Sequence, residues 1–476
     1  MMKSMVNEKG ITFKEIEKEI FKILCEAGRE LTREILEKYD KHLHETRNKS
    51  VYRDKGCRGT SIKTVYGEVV YERHVYQTRD EYGINHCVYL LDENLKLNSI
   101  GLISENYVEL LISSITEMSY RNCAEKVSET TGLSISHAGV WNIIQALGEK
   151  LENDEKELVA TNKHQQIRGS REVPVLFEEA DGVWLNLQGK DRKERNFPKA
   201  EMKAAIAYDG WREEGSGRYS LDGKVVSAGF ERAEDFQKIR EAMIAAEYNL
   251  DEVQVRLLNG DGAFWIKKTK DRDTVFQLDL FHRNKSIREN LSHKKAVHDV
   301  MELLENEQIE ELFEYLKIYK ESLSDDSEIE KVETLISYFH TNREGLLPYQ
   351  KRGLKIPESP EGLIYKNMGT MENHIWSIIA RRMKHNHTSW SIRGGNHLAK
   401  ILAKKCSGKL YEITEQLRIP VFEKEKLEEI KGDILQAGQI GKKIGKGYEY
   451  PVMGHLIGLD AVTRGDRKKI LAMAGF

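Results

Sequence analysis

The stretch Val173–Gln188, VPVLFEEADGVWLNLQ, sets acids inside what is otherwise a buried β-strand. Pro174 bounds it, and Val175, Leu176, Phe177, Val183, Trp184 and Leu185 supply apolar, β-branched and aromatic bulk around Glu178, Glu179 and Asp181. A carboxylate in a half-buried strand is costly unless a cation partners it. Gly182 follows directly, where a missing side chain lets a ligand or another backbone approach. The stretch therefore reads Asp181 as a ligand of a divalent metal and obliges the rest of the chain to supply the other ligands.

A chain of 476 residues exceeds one ordinary domain and leads to an expectation of about three. Net charge is −3, so any nucleic-acid partner must be read from local charge, not from the total. Five scattered cysteines (Cys25, Cys57, Cys87, Cys123, Cys406) form no CxxC pair, which argues for a reducing compartment and against a disulfide framework or zinc ribbon. Cys57 and Cys87, near His86, make only a weak zinc set. The N-terminus lacks a signal-peptide core, and no apolar run reaches the ~20 residues of a membrane span. The expectation is a cytoplasmic protein without a membrane partner.

Residues 1–52 read as a helical arm, with Ile16, Ile20, Ile23, Leu24, Ala27, Leu31 and Ile35 at helical spacing. Residues 53–98 read as a β-hairpin turning at Gly67 and decorated by Arg58, Lys63, Arg73, His74 and Arg79, either a DNA-facing ribbon or a solvated hairpin. Residues 99–168 read as three helices. Ser119 is a candidate N-cap and Gly132 a candidate left-handed stop, and the next helix opens near Ser136. That is a helix-turn-helix pattern offering Ser136, His137 and Asn142 to DNA, or an ordinary helical hairpin.

From 169 to 283 three strands, a helix, a strand, a short helix (Ala263–Thr269) and a fifth strand predict a mixed α/β catalytic core. The fourth strand ends on Asp261 and the fifth, TVFQLDLFH, on Asp279 and His282. This is the element order of the ribonuclease-H-like fold. Residues 284–360 read as a helical insertion closed by Pro348, Pro357 and Pro360. Residues 361–412 complete the core with a helix from Thr370 that carries Glu372, and 413–476 form a C-terminal region with GKKIGKGY and GDRKKILAMAGF.

Asp181, Asp261 and Glu372 make a set of carboxylates that repel one another unless cations sit among them. Mg²⁺, with Mn²⁺ as its substitute, takes such oxygen ligands, and two ions about 4 Å apart support in-line phosphoryl transfer. Asn373–Tyr411 contains no acid but holds Arg381, Arg382, Lys384, Arg393, Lys400, Lys404, Lys405, Lys409 and four histidines. This reads as a basic stripe along a nucleic-acid backbone, with Trp376 and Trp390 placed to stack on an unpaired base, or as a solvated helix face with core tryptophans.

Together, ADGVWL with NGDGAFWI, LDLFH, and GTMENHIWSIIARRMKHNHTSWSIRGG resemble the DDE transposases of bacterial insertion sequences, of the ISLre type related to the Mutator-like group. The resemblance implies a ribonuclease-H-like core with Asp181, Asp261 and Glu372 as the metal-holding catalytic triad. It implies Asp279 and His282 as active-site neighbours, although His282 reads nearly as well as a satisfied core histidine. Glu178 and Glu179 fall outside the motif and so outside the metal site. It also implies double-stranded DNA as partner, both terminal inverted repeats and target, and a homodimer or higher oligomer on that DNA. A stand-alone nuclease on the same core and a DNA-binding descendant without chemistry are the competing readings.

Overall fold

The computed structural model describes residues 11–96, 102–163, 167–267, 274–385 and 387–415. Contacts divide the chain into two compact units, Met1–Ile143 with Tyr411–Phe476, and Ile144–Leu410. Residues 268–273 and the tail from 416, with its GKKIGKGY and GDRKKILAMAGF segments, lie outside the described residues. Among the described residues no helix is long and apolar enough to cross a membrane.

In the first unit, α1 (Phe13–Thr46) starts at a reciprocal cap between Thr12 and Glu15. Its apolar stripe buries Leu36 against Ile62, Val69, Tyr71, Leu91 and Leu95. β1 (Arg53–Thr64) and β2 (Gly67–Arg79) pair antiparallel around a turn in which Gly67 takes a positive φ. The hairpin expected from sequence gains a third strand, β3 (Asn85–Val88), and a short helix, α2 (Leu90–Asn94). Helices α3 (Glu105–Ile115) and α4 (Tyr120–Thr130) are capped by Ser104 and Ser119, and α5 (His137–Asn162) by Ser136, whose Oγ accepts from the Gly139 amide. Gly132 is not a left-handed stop. Its amide donates to the Val65 carbonyl, and a Cβ there would come within 2.1 Å of the Tyr66 carbonyl oxygen, so the glycine permits a backbone crossing. Arg73 and His74 are also not on a DNA-facing surface. Arg73 is buried in an ion pair with Asp92 at 2.8 Å, and His74 meets Asp40 of α1.

The second unit follows the sequence pattern closely. It contains β4 (Val175–Asn186), α6 (Gly189–Lys193), β5 (Lys199–Tyr208), β6 (Gly210–Glu213), β7 (Tyr219–Asp222), β8 (Val225–Gly229), α7 (Ala233–Glu247), β9 (Val255–Gly260), α8 (Phe264–Lys267) and β10 (Thr274–Leu278). Five of these strands form a mixed sheet in the spatial order β10-β9-β4-β5-β8, with β6 and β7 a separate hairpin. β4, β9 and β10 are parallel, and β5 alone runs against its neighbours. Counted along the chain, the five strands lie in the order third, second, first, fourth, fifth.

The fifth strand stops at Leu278, so Asp279 and His282 are not on it, contrary to expectation. Asp279 instead caps α9 (Leu280–Asn290), accepting from the Phe281 and His282 amides. The expected insertion contains α10 (Lys294–Glu305), α11 (Ile309–Glu321) and α12 (Asp326–Thr341). Its Val300, Leu316, Leu335 and Phe339 share one core with Ala180, Leu258 and Phe276, so these helices buttress the β4, β9 and β10 half of the sheet. α13 (Met371–Ile375) runs through a wide π-type turn at Trp376–Ala380 into α14 (Arg381–Met383). After a loop, α15 (Ile392–Cys406) is capped by Ser391 and packs on β8.

Candidate metal centre

The acids of β4 divide by the pleat, because side chains on a strand alternate between faces. Glu178 faces one side, where Arg256 at 2.7 Å and Arg240 at 3.5 Å neutralise it. Glu179 and Asp181 face the other. Glu179 is fully buried at the centre of a polar ladder. It pairs in register with Asn259 of β9, which pairs with Gln277 of β10, and hydrogen bonds of 3.1 Å join each side chain to the next. Asn259 also donates to Asp279 at 2.7 Å.

Six donors converge on the Glu179 carboxylate: the Tyr208 hydroxyl, the Asn259 amide, the backbone amides of Gly369, Thr370 and Met371, and the Thr370 hydroxyl. Burial raises its pKa, and the hydrogen bonds from Tyr208 and Thr370 offset part of that rise. Since each of these partners donates, the ionised form is the one this shell fits. Its charge lies at the N-terminus of α13, where the helix dipole favours an anion. Glu179 thus fixes the start of the helix that carries Glu372. Sequence reading left this residue without a role. The signal was present in the pleat, which puts Glu179 and Asp181 on the same face.

Asp181, Asp261 and Glu372 reach one end of the sheet by different routes. Ala180 of β4 pairs with Gly260 of β9, so the next residues on these two parallel strands, Asp181 and Asp261, stand side by side. Asp261 is held by the Ala263 amide at 2.8 Å, and its carbonyl accepts from Tyr338 of α12 at 2.7 Å. Burial raises the Asp261 pKa, and the Asp181 charge adds to the rise. Glu372 is exposed in the first turn of α13. One ligand atom each from Asp181, His282 and Glu372 lies within 4.8 Å of the others. His282 Nε2 stands 3.6 Å from Asp181 Oδ2, and that contact raises the histidine pKa.

This donor set fits a hard divalent cation. Two carboxylates and one imidazole, from buried Asp181, solvent-open Glu372 and His282, converge, and half-buried Asp261 stands next to Asp181 outside that trio. A cation bound there would relieve the mutual repulsion and leave its outer face accessible.

The expected basic stripe separates into surface and core. Arg381, Lys384 and Arg393 are exposed, and Arg393 pairs with Glu149 at 2.9 Å. Arg382 is buried against the Trp390 ring at 5.4 Å. Trp390 is itself buried and donates its indole N–H to the Met383 carbonyl at 2.8 Å, so it has no face to offer a base. Lys400 is buried between Glu155 at 2.5 Å and Glu231 at 2.7 Å, and Lys409 pairs with Glu247 at 2.6 Å. The missing acids of the stripe are supplied by α5, α7 and the loop after β8. Trp376 keeps half its surface exposed beside His385. In the first unit, Ser136, His137 and Asn142 lie exposed at the start of α5.

Comparison with known proteins places relatives along most of the chain. A UPF0236 protein of Caldanaerobacter subterraneus subsp. tengcongensis, whose name joins eleven TTE labels, is 27% identical over 417 residues, covering 85% of this chain and 80% of the relative. A UPF0236 protein in the vanSb 3′ region of Streptococcus gallolyticus is 22% identical and covers 84% of each chain. Among solved structures, a pre-cleavage Mos1 transpososome matches at 12% identity over 51% of this chain and 79% of that one, with a TM-score of 0.13, too low to inform the fold. The model of an uncharacterised protein family, UPF0236, matches residues 6–417, and the chain belongs to that family.

Proposed function

We propose that this protein is a DDE transposase of an insertion sequence, which binds the inverted repeats at the ends of its element and cuts and joins DNA with Mg²⁺. The observation that carries this reading is the convergence of Asp181 and His282 with Glu372, on a helix docked by Glu179, while Asp261 follows the neighbouring parallel strand beside Asp181. The strand order, with the second strand alone reversed, supports a ribonuclease-H-like core. The eleven labels on one relative's name support the same reading, since a sequence copied around a genome yields many loci for one protein.

Asp181, Asp261 and Glu372 would hold the cations, with Mn²⁺ able to replace Mg²⁺. Ions held there would supply activation of the attacking oxygen and charge stabilisation for the leaving one. The chain's own residues set the geometry. Glu179 orients the α13 turn, Asp279 orients the α9 turn, and His282 stands 3.6 Å from Asp181. Exposed Arg381 and Lys384 lie beyond the π-type turn on the same helical run and contact DNA phosphates. Trp376 stacks on a base unpaired at the cut end.

The test is incubation with DNA carrying the repeats that flank the coding region. The expected result is Mg²⁺-dependent cleavage at the element ends and their joining to a plasmid. Nicking without joining would instead identify a nuclease, and tight binding without any cutting a DNA-binding protein that has lost chemistry.

A further inference from the structure

A second group of potential ligands lies in the first unit, far along the chain from the acids above. One ligand atom each from His44, Asp54 and His74 falls within 4.8 Å of the others. His44 comes from the last turn of α1, Asp54 from the start of β1 and His74 from β2. We propose that these three residues bind a zinc ion that ties the end of α1 to the β1–β2 hairpin.

The surroundings are those of ligands and not of a plain hydrogen-bonded histidine. Asp40, one turn before His44 and buried, meets His74 Nδ1 at 2.5 Å and accepts from the His74 amide at 3.1 Å. Such a carboxylate fixes the ring and leaves Nε2 as a lone-pair donor, the arrangement that backs histidines bound to zinc. His44 Nδ1 is likewise engaged, 3.3 Å from the Tyr76 hydroxyl, so its Nε2 is the nitrogen left for an ion.

The two imidazole rings stack with centroids 4.0 Å apart. The Arg47 guanidinium is turned onto backbone carbonyls of His44 and Tyr52. Asp54 is aimed by a bulge. The pairing Asp54↔Tyr76 is followed by Cys57↔His74, which inserts one extra residue, and Gly56 turns there with positive φ and donates to Asp54 Oδ1 at 2.9 Å.

The Asp40–His74 pair alone would explain a satisfied histidine, but not the convergence of His44 and Asp54 upon it. Two imidazoles and a carboxylate suit zinc better than magnesium, and water fills the fourth position. Ligand atoms around a tetrahedral ion with ~2.0–2.1 Å bonds stand about 3.4 Å apart, a gap that side-chain rotation closes from here.

The test is zinc retention by the full chain after dialysis in excess Mg²⁺, which occupies the carboxylate site. The parent and Asp181→Asn should each retain one equivalent. His44→Gln and Asp54→Asn should bind at least tenfold more weakly in a competition titration with a chromophoric chelator. Added zinc should raise the thermal unfolding temperature of the parent and not that of Asp54→Asn, a substitution at an exposed position that leaves the core intact. A parent that retains no zinc, or His44→Gln and Asp54→Asn proteins that retain as much as the parent, would overturn the proposal.

Discussion

The Asp181 cluster and the His44 cluster differ both in their donors and in how those donors are held. The first gathers carboxylates from two strand ends and a helix, separated by 80 and 111 residues, and needs the closed sheet to exist. The second gathers two imidazoles and one carboxylate from within 31 residues, on one helix and one hairpin. Oxygen donors suit an ion that must stay hydrated and exchange ligands with a phosphate, whereas imidazoles suit an ion that stays put. The supporting shells differ accordingly. Asp181 and Asp261 lie beside a buried ladder, Glu179–Asn259–Gln277, whereas His74 relies on Asp40 alone. The Asp181 cluster is thus tied into the sheet, and the His44 cluster is tied locally.

The contrast breaks most visibly at the carboxylates proposed to hold Mg²⁺. Asp181→Asn or Glu372→Gln should reduce Mg²⁺-dependent DNA cleavage by more than about a hundredfold, beyond the loss an outer-sphere partner brings, while zinc content stays unchanged. Gel assays for cleavage and metal analysis of the same preparations check both halves, and loss of zinc in Asp181→Asn would mean the two centres are coupled.

Next is Glu179→Gln, which turns an amide N–H₂ toward donors that need an acceptor. It should destabilise the second unit by about 3 kcal/mol and also suppress cleavage, measured by denaturant unfolding and by the same gel assay. Asp40→Asn should weaken zinc binding about 10- to 100-fold with cleavage unaffected, read by chelator competition.

The smallest effect separates the two tryptophans. Trp376→Ala should weaken binding to DNA with an unpaired end by about 1 kcal/mol and leave stability unchanged. Trp390→Ala should instead lower stability by about 3 kcal/mol or more, with little specific effect on DNA affinity. Fluorescence anisotropy and thermal melts distinguish them.

Much of the second unit was legible because strand and helix periods alternate cleanly from Val175 to Leu278, with Asp181 interrupting one apolar strand and Asp261 ending another. The end of the fifth strand was misjudged because Asp279 continues an alternating pattern while its side chain caps a helix, and capping outranks propensity at such a boundary. The basic stripe misled for a different reason. The acids that neutralise Lys400, Glu155 and Glu231, come from elements distant along the chain, so a window from Asn373 to Tyr411 reads as unpaired charge. Glu179 escaped because three of its four partners at residues 369–371 are backbone amides, which have no signature in sequence. The His44 cluster escaped because α1 and the hairpin were read separately.

The shell around Glu179 also imposes an order of events during synthesis. Four of its six donors belong to Gly369, Thr370 and Met371, so a chain still short of that point leaves a carboxylate in the sheet with only Tyr208 and Asn259 to meet it. An under-solvated charge of this kind keeps the nascent sheet loose. The segment that relieves it is the one that delivers Glu372. A ribosome-bound fragment therefore cannot acquire a settled core and remain one ligand short. Glu372 arrives together with the last donors that settle Glu179.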